Sequence, residues 1–489
     1  MPGVVISTSV RTGPSVPLFN EASQAFFVGL AQRGPTATST LVTSLEQFED
    51  LFGGYASWSL LHPTVECFFE EGGTQCHIAR VVGGDAETGS LEIDDADANP
   101  TIVLTANGAG SWSSQIKAQV VTGTIAGTFA VKIFLNDEQI ATTGNCSSRE
   151  QAVGKLNLHA EASKYITASL GSDTSNPVIM PNPVALSAGD DDRAAVVDQD
   201  YVDALSLFND ALGTGSVSCP ESSSQTVYTG LLEHANAYNR VAILHGASNA
   251  SIASIKTFAQ SIIADETNLE HGALYYPWVY APTAVNGVNR LIPPDGYVAA
   301  KRSKTANAGG THVPFAGINS QATFINGLVT DIDRTNGNAL DDECVNAIRI
   351  INNTIRVYGA RSLSQDTTNF RYITSQDTVN SIVTDAYRAI EPLVFTAIDG
   401  RGTVFSAVES KLISVLEGYR LSGSLFEAFS NNGERIDYGY TVRCDAKLNS
   451  TTDLADGKIK AKIGVRVSSV GDRIEVEIVK SSLTASVTA

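Results

Sequence analysis

The sequence predicts a multidomain protein of the α/β plus β class, and three observations carry that expectation. Apolar runs of buried-strand length alternate with helix-period stretches on both sides of a contrasting middle segment. That segment, residues 88–185, is a series of short β-rich stretches broken by Gly, Asn, Asp and Ser clusters. Toward the C-terminus, amphipathic helical patterns give way to strict period-two alternation. The expected organisation is an extended arm over 1–20, an α/β domain over 21–87 and 186–335 interrupted by a β-rich insertion over 88–185, and an α+β domain over 336–489.

At 489 residues and 51.6 kDa the chain can bury several cores without covalent staples. Apolar residues make up 43% and charged residues 17%, the balance of a globular protein. Lys plus Arg number 33 against 52 Asp plus Glu, and a formal net charge of −19 repels phosphates, so direct nucleic-acid binding is not expected. Met1-Pro2-Gly3-Val4-Val5 opens without the basic and apolar regions of a secretion signal, and no apolar run would span a bilayer, which points to the cytoplasm as the place of synthesis and to no direct membrane partner. Six cysteines (Cys67, Cys76, Cys146, Cys219, Cys344, Cys444) show no C-x-x-C spacing and read first as buried, reduced thiols.

Residues 1 to about 20 hold three prolines, two glycines and the β-branched run Val4-Val5-Ile6, which suits an extended arm and no helix. Ala25 to Ala31 is a continuous apolar run that reads as a buried strand, left at Arg33-Gly34-Pro35. Ser44-Leu45-Glu46-Gln47 has capping-box spacing before Phe48, Leu51 and Phe52, and Gly53-Gly54 stops that helix. A second helix is expected through Pro63 to Phe69 and a strand over Cys76 to Val82. Strands are expected over Thr101–Leu104, Gln115–Val121 and Phe129–Leu135 of the insertion. Alternation then resumes: a helix over Tyr201–Ala211, a strand over Arg240–Leu244, a helix over Ile252–Ala264 and a strand from Leu274.

Residues 340–357 place Leu340, Cys344, Ile348, Ile351 and Ile355 on one helical face, so a helix is expected there. Asp377 is expected to cap a helix carrying Val379, Ile382, Val383, Ala386 and Ile390, and another helix is expected from Val404 to Tyr419. Residues 459–467 and 474–478 alternate strictly, one basic and one acidic on its polar face, and are expected to pair as a hairpin.

Candidate chemistry is sparse. Gly189-Asp190-Asp191-Asp192 lacks the alternating ligands and closing Glu of a calcium loop and reads as a solvated turn. Cys76 and His77, adjacent on a strand, point to opposite faces and do not share a metal ion. Gly154-Lys155 and Gly457-Lys458 lack the Gly-rich lead and the hydroxyl of a phosphate loop. No cofactor and no metal is expected.

Along nearly its whole length the chain resembles the contractile tail sheath family. The arm, Phe27-Val28-Gly29-Leu30 with Arg33-Gly34-Pro35, Thr43-Ser44 before Phe48 and Phe52-Gly53, Phe68-Phe69 with Gly72-Gly73, and Cys76 to Val81 follow that family's opening in order and spacing. Gly110-Ser111-Trp112, Tyr275-Tyr276-Pro277-Trp278, Pro293-Pro294-Asp295-Gly296-Tyr297-Val298-Ala299 and Val313-Pro314-Phe315-Ala316-Gly317 are similar to its middle landmarks. Ile355 to Leu363, Leu421 to Leu425 and Tyr440 to Asp445 are similar to three later ones. The sequence departs from the pattern at Asp295, at Ala300 and at Thr374-Ser375-Gln376, where the family usually has Ser, Gly and an Arg pair near Tyr372.

The resemblance implies a structural subunit rather than an enzyme. Such a subunit assembles in the host cytoplasm into the tail of a virion or related injection machine, as stacked six-fold rings around a tail tube protein, with baseplate and terminator proteins at the ends. It also implies a subtilisin-like middle domain. His245, Asp295 and many serines occur, but no G-x-S-x-G motif does, so hydrolysis is the weakest of three readings, behind another tail or baseplate component. Sheath arms are lent to neighbouring subunits, which makes Gly3, Val4, Val5, Ile6 and Val10 and the last strand's Ile474, Val476 and Ile478 the expected linkage residues, by strand addition. The alternative is an arm that pairs within its own chain. Cys146 and Cys219 sit in polar, turn-like contexts and are expected as exposed thiols able to crosslink subunits outside the cell. Lys411, on the polar side of helix 404–419, is the candidate for contact with the tube.

Overall fold

The computed structural model describes residues 23–282 and 288–472. The first core layer contains β1 (Ala25–Leu30), β2 (Thr40–Val42), α1 (Leu45–Phe52), α2 (Leu61–Glu70) and β3 (Cys76–Val81). Ser44 caps α1 through its Oγ, which accepts from Gln47 N at 3.1 Å. The Gln47 side chain reaches instead to Thr43 N, at 2.9 Å, so half of the expected box forms. Gly53, at φ +87°, ends the helix.

The insertion follows as β4 (Ser90–Asp94), β5 (Pro100–Ala106), β6 (Ile116–Thr122), β7 (Phe129–Leu135), β8 (Glu138–Thr142), α3 (Arg149–Leu158), α4 (Ala162–Tyr165), β9 (Ile166–Leu170) and β10 (Val184–Ala185). Its strands form two sheets, ordered β4-β5-β9 and β10-β6-β7-β8, around one core that holds Ile102, Leu104, Val120, Ile133 and Leu156. Entry and exit lie side by side: Glu87 N donates to Asp190 O and Gly83 N to Asp191 O, both within 2.9 Å. The Gly189–Asp192 turn is thus the neck of the inserted domain. Closing that neck lets a whole domain interrupt the α/β core without displacing it.

The core resumes with α5 (Asp198–Ala204), β11 (Ser216–Ser218), α6 (Gln225–Ala237), β12 (Val241–His245), α7 (Ile252–Asp265) and β13 (Gly272–Tyr276). A small antiparallel sheet of β14 (Val279–Ala281), β15 (Arg290–Ile292) and β16 (Gly327–Leu328) brackets the long helix α8 (Asp295–Gly309). Next come α9 (Arg334–Asp341), β17 (Val345–Ile351) and β18 (Thr354–Val357). The main sheet runs β18-β17-β13-β12-β11-β1-β3-β2. Every neighbouring pair from β17 to β3 is parallel, and the two edge strands are antiparallel.

Strand alternation builds both faces of this sheet. Ala25, Phe27, Ile243 and Tyr275 pack under α2 and α8, while Phe26, Val28, Leu244 and Leu274 pack under α5, α6 and α7. Residues 340–357 are therefore a helix end and a hairpin, not one helix, and they belong to the main sheet. Asn352 and Asn353, at φ +50° and +60°, make the two-residue turn with both central residues left-handed that joins tightly twisted strands.

The C-terminal unit contains α10 (Ile373–Ile390), α11 (Thr403–Leu421), β19 (Ala428–Phe429), β20 (Arg435–Asp437), β21 (Tyr440–Arg443), α12 (Thr451–Ala455) and β22 (Lys462–Val465). Helix α10 starts at Ile373, so Asp377 lies inside it and is no cap. The antiparallel pair β21–β22 packs Val442 and Ile463 onto Val408 and Leu412 of α11. The partner of the basic alternating stretch is thus 440–443; residues 474–478, the expected hairpin mate, lie outside the described residues.

Candidate assembly interface

Among the described residues the C-terminal sheet is small. Within it β21 and β22 pair with each other, and the continuation of β22 is bridged to 424–426, where Phe426 N donates to Arg466 O at 2.8 Å and Ser468 N to Ser424 O at 2.9 Å. Two strands rarely suffice to cover a helix. Tyr440, Val442, Ile463 and Val465 accordingly stay half-exposed although they face α11. Gly439 starts this hairpin at φ +75°, with its α-carbon so close to Phe426 that a Cβ would lie 2.6 Å from Phe426 O. A charged network ties the hairpin to the helix end. Arg420 Nε donates to Glu417 Oε2 at 2.8 Å, Tyr440 Oη to the same oxygen at 3.0 Å, and Arg435 Nε to Glu427 Oε2 at 3.1 Å. Hydrogen bonding to Arg420 holds both Glu417 and Glu427 below the usual carboxylate range.

Around this sheet the unit exposes large apolar side chains: Tyr387 on α10, Phe395 between the helices, Leu421 at the end of α11, and Phe426, Phe429, Ile436 and Tyr438 beside β19 and β20.

Ser23 and Asp472 are each held by residues distant in sequence. At Ser23, the carbonyl accepts from the fully buried Ser303 Oγ of α8. At Asp472, Oδ2 accepts from Tyr372 Oη at 2.7 Å and from Arg371 Nη2 at 3.2 Å. Burial, then that carboxylate, pushes the Tyr372 hydroxyl up to about 12. The expected linkage residues Gly3, Val4, Val5, Ile6, Val10, Ile474, Val476 and Ile478 lie outside the described residues. Neither the Ser23 nor the Asp472 contact is legible in sequence, because each joins residues far apart in the chain.

The expected crosslinking thiols are corrected by burial. Cys146 is 0% and Cys219 2% exposed, and all six cysteines are buried and unpaired. Cys146 joins the core of the insertion and Cys219 packs under α6, although both sit in polar local sequence. Burial, then Glu221, pushes the Cys219 thiol well up, away from reactive thiolate. Lys411 is exposed on α11.

His245 and Asp295 do meet: His245 Nδ1 lies 2.9 Å from Asp295 Oδ1. The pair links the end of β12 to the first residue of α8 and is 2% and 0% exposed. Among the described residues no serine hydroxyl hydrogen-bonds this imidazole, whose ring instead meets Trp278 edge-on at 5.5 Å. A nucleophile–base hydrogen bond is a geometric requirement of a triad, and the described residues supply none to His245. Among those residues no group of three or more His, Cys, Asp or Glu could hold a metal ion, and no helix is long and apolar enough to cross a membrane.

No protein-family model matches the sequence, and no curated protein matches it. Solved structures do. The sheath tail protein of Listeria innocua superposes with a TM-score of 0.62 at 14% identity, over 88% of this chain and 92% of that one. A chain of the anti-feeding prophage baseplate in its contracted state gives 0.58 at 16% identity, over 98% of each chain. The helical sheath of the same prophage, also contracted, gives 0.54 at 14% identity, over 98% and 99%. The class is therefore defined by fold: a mixed α/β multidomain chain with several sheets. More particularly, it is the fold of contractile tail sheath proteins, from the first described strand to the C-terminal sheet.

Proposed function

We propose that this chain is the structural subunit of a contractile sheath, polymerising as stacked rings around a tail tube and contracting to drive the tube through a target envelope. The observation that carries this is a whole-length sheath fold together with a C-terminal strand pair, β21–β22, that among the described residues is extended by no more than a bridge to 424–426. A two-stranded sheet with few partners among the described residues and terminal segments of alternating or β-branched sequence supply the parts of a strand-addition linkage between copies. In this reading Gly3, Val4, Val5, Ile6, Val10, Ile474, Val476 and Ile478 supply the added strands, and Lys411 on the outer side of α11 contacts the tube.

Contraction draws on the difference between two packings of the same linked subunits and needs no bond cleavage. The α/β core, whose parallel sheet we read as subtilisin-like, and the C-terminal unit move as bodies while the linkages keep copies tethered. Baseplate and terminator proteins bound the tube and sheath, and the particle is a virion tail or a related injection machine assembled in the host cytoplasm. The likeness to baseplate chains supports the runner-up, a baseplate component.

Negative-stain microscopy of the overexpressed full chain decides between them. Long regular tubes are expected; discrete rings or monomers alone would overturn the sheath reading in favour of a baseplate role. Removal of residues 1–18 is expected to abolish tubes while leaving a folded monomer. Lys411→Glu is expected to leave empty sheath tubes intact and to weaken co-assembly with the tube protein.

A further inference from the structure

Among the described residues the inserted domain and the α/β core share no apolar cluster. The core of the insertion draws its members from 91–186 alone, and the two clusters of the α/β core contain none of those residues. Domains joined without a large apolar interface move relative to one another unless other contacts hold them.

Two kinds of contact join these bodies. One is the neck, where the chain passes in and out. There Asp190 N donates to Glu87 O at 3.0 Å, in return for the bond from Glu87 N. Gly83 and Gly84 lie on the inward pass. A Cβ on Gly83 would meet Asp192 O at 2.2 Å, so only glycine allows that approach, while Gly84 is exposed and a Cβ there would have nothing within 4 Å.

The other is a polar patch between α4 of the insertion and the last turn of α1. Arg33 Nη2 donates to Glu49 O at 2.9 Å and to Asp50 O at 3.0 Å. The same guanidinium lies 5.4 Å from the centre of the Tyr165 ring, and Lys164 Nζ stands 3.7 Å from Asp50 Oδ2. Beside them Gly108 of the insertion packs on Gly34, where a Cβ would lie 2.1 Å from the Gly34 carbonyl oxygen. A cation over a ring and a partly exposed ion pair are weak in water and weaken further in salt. The neck is hydrogen-bonded backbone, which salt leaves in place.

We propose that the inserted domain is a hinged body. It closes on the α/β core through the latch Arg33–Tyr165 and Lys164–Asp50, and it swings about Gly83 and Gly84 of the neck when that latch opens. The swing changes the outline of the subunit without altering either core. It goes beyond the sheath reading and does not depend on it, since the joint lies within a single copy.

The test is single-molecule energy transfer in the full-length chain. One dye is placed on Ile125→Cys, 60% exposed between β6 and β7, and the other on Glu233→Cys, exposed on α6. The six native thiols are buried, so the dyes go to the engineered ones. One main population is expected in low salt. Raising the salt from about 0.01 M to about 1 M shortens the screening length from ~30 Å to ~3 Å, and a second population is expected to grow at least threefold. Lys164→Glu should bring out that population in low salt, and adding Asp50→Lys should remove it. A single unchanged population throughout would overturn the proposal. So would a second population that appears only with loss of amide-exchange protection at Val120 and Ile133, since that is unfolding of the insertion. The salt titration leaves the latch residues native, so the result stands even where a latch variant misfolds.

Discussion

Arg302 on α8 and Asp377 on α10 form a buried ion pair, with Arg302 Nε 2.9 Å from Asp377 Oδ2 and side chains 1% and 2% exposed. It fastens the helix that carries the C-terminal unit to the centre of the α/β core. Burial raises the Asp377 carboxyl, and the adjacent guanidinium opposes that rise. Removing one partner strands a buried charge, which costs about 3–5 kcal/mol, whereas an apolar replacement of both is near neutral. Asp377→Ala is therefore expected to lower the urea midpoint steeply. The double variant Arg302→Met with Asp377→Leu is expected to recover most of the loss.

Acid should loosen the protein through histidine. His77 stacks on Phe26 with ring centroids 5.1 Å apart, and burial, then the charge of Arg240, pushes it down to about 4. A free imidazole titrates near about 6.5. The unfolded chain thus binds a proton that the folded chain refuses, and stability present above about 6.5 is lost as pH falls toward about 4. His234 is pushed in the same direction, to about 3. His77→Phe is expected to flatten the fall of the unfolding free energy across that window, measured by urea titration at several pH values.

Gly439 controls the C-terminal sheet. A side chain there meets both a left-handed φ of +75° and the Phe426 carbonyl, so Gly439→Ala is expected to cost about 1–3 kcal/mol locally. Hydrogen exchange should rise over 424–426 and 440–443 while protection in β1 and β12 stays unchanged.

The thiols make a sharp prediction about redox behaviour. The native chain is expected to leave all six cysteines unreactive toward an aromatic disulfide reagent and to expose six on unfolding in urea. Rapid reaction of one thiol in the native state would contradict their burial.

Much of the core was legible because local signals agreed with tertiary demand. Ala25–Leu30 and Val241–His245 are apolar on both faces because helices cover both, and the Ser44 cap forms as its spacing suggests. Leu340, Cys344, Ile348, Ile351 and Ile355 misled because their spacing fits a helix while Val345, Ile350 and Ile351 are equally good strand formers. The decisive signal was Asn352-Asn353, residues that tolerate positive φ, flanked by branched residues. Asp377 resembled a cap because an acid before an apolar stripe usually is one; its partner Arg302 lies 75 residues away. Cys146 and Cys219 show the same limit, since polar neighbours in sequence were no guide to the cores that enclose them. The contacts of Ser23 and Asp472 were invisible for the same reason.

Helix α10 has 18 residues, about 27 Å at the rise of an α-helix. Its first turns are locked into the core by Asp377 and by Asn380, whose Nδ2 donates to Arg240 O at 3.0 Å, while Ile382 and Ala386 further along belong to the C-terminal cores. As a lever it is long: a pivot of about 4° at the locked end would sweep the far end through about 2 Å over that length, under half the spacing between neighbouring strands.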